Sequence, residues 1–177
     1  MGKRSDFERR DRDYYPTPKE AVLPLLKRLK ANTKFIEPCA GDLALVKILE
    51  EYGHECVLAS DIEPQAPNVL KRDALLGLRP NPDEVIITNP PWDRKILHPM
   101  IVAFSDVAPT WLLFDADWMH TKQSAAFLPR LRMIVSVGRV KWIPESNGAG
   151  KDNAAWYLFD KPPPPNQYHW PAYFFGR

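Results

Sequence analysis

What this chain has little of narrows its chemistry before any motif is read. Only two cysteines occur in 177 residues. Cys39 and Cys56 sit in or beside apolar runs, with no CxxC or Cys/His spacing around them. A disulfide framework is excluded, and reduced thiols of a cytosolic protein are expected. No metal site is expected either, because tetrahedral zinc draws on clustered ligands. No apolar run reaches the roughly 18 residues that a membrane span requires. The opening MGKRSDFERRDRD also lacks the apolar core of a secretory signal. These absences lead to the expectation of a cytoplasmic protein with no membrane partner. An excess of one charge is missing too: 24 basic residues face 22 acidic ones, for a net +2. Bulk charge therefore marks neither a polyanion-coating protein nor an acidic disordered one. The sequence has no internal repeat.

What is present is 45% hydrophobic residues, enough at this length for one well-buried core and short for two. Residues 1–13 are almost wholly charged or small and read as a flexible arm. Residues 14–161 read as one folded domain and 162–177 as a tail. In that tail Pro162 to Pro165 form a stiff spacer, and the aromatics after it are expected to pack on the domain.

Helix and strand signals alternate along the domain. Thr17 can cap and Pro18 suits the first turn of a helix over TPKEAVLPLLKRLKAN, with Val22, Leu25, Leu26 and Leu29 on one apolar face and a bend at Pro24. KFIEPCAG reads as a buried strand entering a glycine turn, and LALVKILEEYG as a helix closed by Gly53. ECVLASDIEP, DEVIITNPPW and TWLLFDADWM are strands, PMIVAFSDVA is a helix, and a further helix is expected around Gln123 to Leu131. RMIVSVGRVKWI and NAAWYLFD then form a hairpin about PESNGAGKD, where Asn147-Gly148 marks a turn. The fold class is α/β: a doubly wound, mostly parallel sheet covered on both faces, ending in an antiparallel hairpin.

In such a sheet ligands bind beyond the carboxyl ends of the strands, where strand order reverses. Three polar clusters fall at strand ends: Glu37 to Asp42, Asp61 with Glu63, and Asn89 to Asp93. Ala40 and Gly41 suit a turn that lets a ligand approach backbone N–H groups, or an ordinary strand-to-helix turn. Asp61 lies about 20 residues beyond that turn, a spacing suited to a ribose diol, or it is a helix cap or surface acid. Asp73 is placed to meet an adenine amine, or it is a solvated loop acid. GAGKD lacks the full phosphate-loop spacing and opens no helix, so an NTPase is rejected.

Asn89-Pro90-Pro91-Trp92 after a hydrophobic strand, with EPCAGD upstream, resembles the S-adenosylmethionine-dependent amino methyltransferases that act on adenine N6 or cytosine N4. YYPTP, from Tyr14 to Pro18, looks like the segment bordering the cofactor's methionine end. The resemblance spans about Tyr14 to Phe159 and is tight only in these short stretches. It implies a seven-stranded Rossmann-like methyltransferase fold, and most closely a small phage-like DNA adenine-N6 enzyme of a bacterial or phage-infected cell. The implied cofactor is S-adenosylmethionine, held by Tyr15, Thr17, Pro18, Glu37, Pro38, Cys39, Ala40, Gly41, Asp42, Asp61, Ile62, Asp73 and Asn89. Asn89, Pro90, Pro91 and Trp92 are the implied catalytic corner. Two prolines stiffen that corner, so the Asn89 side-chain oxygen and the Pro90 carbonyl can accept the two N–H bonds of an amine.

The implied partner is nucleic acid, with DNA expected. Trp92 would stack on the target base, while Lys141, Trp142 and Lys151, with Arg139, lie on the hairpin that would meet the strand; an exposed hairpin with edge-protecting charges is the alternative. Little chain is left for a recognition domain, so weak sequence specificity or a very short site is expected. One position departs from the family loop: Leu43 stands where a second glycine is usual, and a side chain there can crowd the cofactor. Asp42 next to it either contacts the methionine amino group or caps a helix. Enzymes acting on RNA bases, on cytosine N4 or on protein glutamine stand as alternatives. A catalytically silent methyltransferase-fold binding module is another.

Overall fold

The computed structural model describes residues 15–143, 150, 152–164 and 172–176. Eight strands form one sheet: β1 (Lys34–Glu37), β2 (Glu55–Asp61), β3 (Leu70–Lys71), β4 (Glu84–Thr88), β5 (Thr110–Asp115), β6 (Leu131–Arg139), β7 (Asn153–Phe159) and β8 (Tyr173–Phe175). Their order is β3-β2-β1-β4-β5-β7-β6-β8. The first five pair in parallel, β7 runs antiparallel between β5 and β6, and β8 lies parallel to β6. The doubly wound, mostly parallel sheet with its antiparallel hairpin is therefore present, with eight strands rather than seven.

Three helices cover the sheet: α1 (Lys19–Leu26), α2 (Ala44–Glu51) and α3 (Arg94–Ser105). Neighbouring strand residues point to opposite faces, so each strand feeds two cores. Phe35, Ile87, Trp111, Leu113 and Trp156 pack under Val22 and Leu25 of α1 and Leu45 and Leu49 of α2. Ile36, Ile86, Leu112, Phe114 and Tyr157 pack under Leu97, Ile101 and Phe104 of α3. Both faces being buried explains why β4 and β5 read as continuous apolar runs instead of alternating ones. The aromatic tail returns to the sheet through β8, where the Arg28 guanidinium lies 3.7 Å from the Phe175 ring centroid.

Several elements differ from the sequence reading, and α1, expected to run to Asn32, ends at Leu26. The strand expected over TWLLFDADWM stops at Asp115, whose carboxylate accepts from the Asp117 N–H and opens a 3-10 turn over Ala116–His120. The helix expected around Gln123 to Leu131 is two further 3-10 turns, Lys122–Ala126 and Leu128–Arg130, and Leu131 already belongs to β6. There the Ser124 hydroxyl donates to the Met119 and Thr121 carbonyls, and Pro129 offers no N–H, so a regular helical ladder loses out. α3 starts at Arg94, five residues before PMIVAFSDVA, because Asp93 caps it by accepting from the Lys95 N–H. β3 is a two-residue strand within a stretch read as irregular.

Trp156 ties α1 to the sheet. Its ring is fully buried, and its Nε1–H donates to the Ala21 carbonyl at 2.8 Å. Trp156→Phe keeps most of the apolar volume but leaves that carbonyl without the indole donor. The expected loss is about 1–3 kcal/mol, read as a lower urea midpoint with an unchanged m-value.

Candidate active site

The order of strands reverses between β1 and β4, and the site opens above the carboxyl ends of these strands and β2. β1 ends in Glu37, after which Pro38 to Leu43 turn the chain into α2. Gly41 takes φ 49° and Leu43 takes φ 69°. Both are left-handed, which glycine adopts freely and which costs a residue such as leucine roughly 1–2 kcal/mol. Leu43 thus holds a backbone conformation that glycine adopts more readily. The Leu43 side chain packs against the core beneath α1 and α2 and does not line the cavity.

Backbone hydrogen bonds stitch this turn to the end of β2. The Ala40 N–H donates to the Ser60 carbonyl at 2.9 Å, and the Gln65 N–H donates to the Gly41 carbonyl at 2.9 Å. Asp61 uses both carboxylate oxygens: Oδ2 accepts from the Gly41 N–H and Oδ1 from the Glu63 N–H, each at 2.8 Å. Asp42 caps the helix, accepting from the Ala44 N–H at 3.0 Å. Asp73 accepts from the Leu75 N–H at 2.9 Å.

Across the opening, Asn89 follows β4. Its Nδ2 donates to the Thr17 hydroxyl at 3.2 Å and to the Tyr15 carbonyl at 3.4 Å. A carbonyl only accepts, so this pairing fixes the amide orientation and turns Oδ1 away from Tyr15. Trp92 donates through Nε1 to the Leu113 carbonyl at 3.2 Å, which holds its indole against the sheet. The Trp142 ring meets it edge to face, with centroids 5.7 Å apart and planes at 90°. The Gly150 N–H donates to the Val140 carbonyl at 2.8 Å. A Cβ on Gly150 would stand 3.1 Å from that carbonyl and 3.4 Å from the Trp142 ring.

Between these walls lies a cavity of about 690 Å³. Among the residues expected from sequence, Tyr15, Thr17, Glu37, Pro38, Cys39, Ala40, Gly41, Asp42, Asp61, Ile62, Asp73, Asn89 and Pro91 line it. Pro18 instead sits at the N-cap of α1, and Pro90 is buried and outside the lining. Trp92 and Trp142 stand outside the lining, Lys141 is exposed on the hairpin, and Lys151 lies outside the described residues. Glu63, Gln65, Ala74, Leu75, Ile96 and Met100 line the cavity without having been assigned to it. Ile96 and Met100 are four apart on α3, a spacing that does put two residues on one helix face.

The cavity is acidic. Glu37, Asp42, Asp61, Glu63 and Asp73 contribute to its lining, and no Lys, Arg or His does so among the described residues. Glu37 is 2% exposed, and its Oε2 has no hydrogen-bond partner. Burial, with Asp61 and then Asp42 nearby, holds its carboxyl well above the usual carboxylate range, against a lowering hydrogen bond from the Val46 N–H. Burial also pushes the Cys39 thiol up to about 12, which leaves it protonated and unreactive at neutral pH.

No family model matches this chain, and no curated protein matches it. Solved structures do share its fold. One is a candidate class I S-adenosylmethionine-dependent methyltransferase from Listeria monocytogenes, at TM-score 0.57 and 13% identity over 94% of this chain and 67% of that one. Another is a candidate RNA methyltransferase from Pyrococcus horikoshii, at TM-score 0.56 and 15% identity over 83% of this chain and 86% of that one. A third is the methyltransferase subunit of a type I restriction-modification system from Streptococcus thermophilus, at TM-score 0.54 and 8% identity. It covers 83% of this chain and 45% of its own. The chain has the fold of the S-adenosylmethionine-dependent methyltransferases.

Proposed function

We propose that the domain over residues 14–161 is an S-adenosylmethionine-dependent methyltransferase acting on the exocyclic amine of a nucleobase, with adenine N6 in DNA as its substrate. The observation that carries this reading is the Asn89 amide, pinned through its nitrogen to Tyr15 and Thr17 at the rim of an acidic cavity. Its oxygen is thereby left to accept from an amine. A small phage-like enzyme of weak sequence specificity is part of this reading.

The cavity suits this cofactor better than a phosphate-bearing one. Five acids and no base in the lining repel phosphates and attract a cation. Glu37 Oε2 offers an unpaired acceptor to positive charge, while Asp61 and Asp73 keep lone pairs for hydroxyl and amine donors. Tyr15, Thr17, Pro18, the turn from Pro38 to Asp42, Ile62 and Asn89 complete the set that would hold the group. When bound, S-adenosylmethionine would supply an electrophilic methyl to the amine nitrogen, with the thioether as leaving group and one amine proton passing to solvent.

The remaining work falls to the chain. An exocyclic amine is a poor nucleophile because its lone pair is delocalised into the ring. Asn89 Oδ1 and the Pro90 carbonyl accept its two N–H bonds, favour a pyramidal nitrogen and stabilise the positive charge that develops there. Pro90 and Pro91 restrict the corner, so little reorganisation is needed. No strong base is required, since the methylated nitrogen is acidic while cationic. The Trp92 indole, fixed by Leu113, offers a stacking face worth about 1–3 kcal/mol per base. Trp142 stands perpendicular beside it, and Lys141 and Lys151 supply charge for phosphates. A duplex base reaches such a pocket only when flipped out, so single-stranded DNA should be modified more readily. RNA is the second reading, supported by the similar fold of a candidate RNA methyltransferase.

Labelled cofactor incubated with unmethylated DNA, RNA and protein extract is expected to mark DNA, and digestion of that DNA to nucleosides is expected to return N6-methyl-2′-deoxyadenosine. Label confined to RNA would overturn the DNA assignment. Asn89→Ala is expected to leave cofactor affinity within a few-fold by calorimetry while cutting single-turnover transfer about 10²–10³-fold. Equal losses in both would mark the corner as structural. Glu37 also sets a pH trend in the cofactor-free protein. Its raised carboxyl contributes stability that is full below the ordinary carboxylate range and is lost as pH rises through the raised value. Thermal midpoints should fall over that interval, and Glu37→Gln should flatten the slope.

A further inference from the structure

Glu37 combines three properties seldom found together: near-complete burial, an oxygen with no partner, and a place in the lining of a ligand-sized cavity. Its neighbours offer it no neutralising charge. β2 contributes Asp61 and the Cys56 thiol, and the turn after β1 contributes Asp42 and the Cys39 thiol. α2 brings the Val46 N–H, which favours the ionised form, and Glu50, which acts on Cys56. The nearby cation of α2, Lys47, is exposed and places its Nζ 3.1 Å from the Asp42 carbonyl oxygen. From β4 and the segment before α1 come Asn89, Tyr15, Pro16 and Thr17, none of them a cation, and the turn after β3 adds Asp73. A carboxylate so placed gains most by taking up a proton until a cation enters.

We propose that Glu37 is a proton-linked selector of the charged methyl donor. It gives up its proton to solvent when a sulfonium compound occupies the cavity, and it takes one back when the neutral thioether is left behind. This rests on the methyltransferase reading above. The donor and its demethylated product share the same zwitterionic amino-acid end, which is neutral as a whole, and differ by the single positive charge on sulfur. Binding the donor trades one proton for one sulfonium charge, and transfer removes that charge, so reprotonation restores the balance. The acidic cavity thereby holds donor more firmly than product, and the preference grows as pH rises towards the value at which free Glu37 ionises. Burial and the flanking Asp61 and Asp42 place that value above the ordinary carboxylate range.

Calorimetry with S-adenosylmethionine and S-adenosylhomocysteine, each in two buffers of different ionisation enthalpy, reads the exchange directly. Over a series from about pH 5 to about pH 9, up to about one proton per donor should be released where free Glu37 is protonated. Donor affinity should rise there by up to about tenfold per pH unit, while the thioether binds with almost no proton change. Glu37→Gln, checked for folding by circular dichroism, should abolish the release and flatten the donor-to-product ratio against pH. Release of no proton by the wild-type protein, or equal release with both compounds, overturns the role of Glu37 and leaves the methyltransferase reading intact. Absence of binding by either compound at every pH overturns that reading as well, so the two failures are distinguishable.

Discussion

Asp61 accepts backbone hydrogens from two separate segments at once, the Gly41 amide of the turn after β1 and the Glu63 amide beyond its own strand. Each is a charge-assisted bond, stronger than a neutral one and worth about 1.5–3 kcal/mol. Together with the Ala40 to Ser60 bond they lock the turn that enters α2 onto the end of β2. The cavity floor depends on this lock, because Glu37, Cys39 and Asp42 all hang on the segment that it holds. The Asp61 side chain is therefore structural, and it also lines the cavity.

The opposite wall is built by a second long-range tie. Asn89 follows β4 and is bonded to residues 72 and 74 positions earlier in the chain, so the stretch before α1 and the proline corner are held together. Sheet topology brings them to one place: β1 and β4 are neighbours although two strands separate them in sequence. The same topology gathers five acids from the ends of three strands, β1, β2 and β3, with no base among the described lining residues. Such a field selects by charge before any specific contact is made.

Much of this was legible in the sequence because its signals are local. Alternating strand and helix patterns, the EPCAGD turn and the NPPW corner are contiguous, and each residue cluster sits where its own strand ends. What was not legible depends on distance or on competition. β3 and β8 are two and three residues long and exist only through pairing with β2 and β6, which no window of sequence reports. The turns after β5 carry helix-compatible residues, yet Ser124 and Pro129 defeat the ladder locally. Leu43 seemed set to crowd the cofactor, and only the direction of its side chain, set by a left-handed backbone, sends it into the core instead. Ile96 and Met100 reach the cavity because Asp93 starts α3 earlier than the apolar pattern suggests.

The docking of β8 on β6 has a consequence for self-association. β6 is nine residues long and would be the open margin of the sheet if the tail did not return to it. With β8 in place the sheet ends in a two-residue strand on one side and a three-residue strand on the other. β8 covers Met133 to Val135 and withdraws that central part of β6 from pairing with a second chain. Arg28, by seating Phe175, helps to hold that cover in place over the middle of β6.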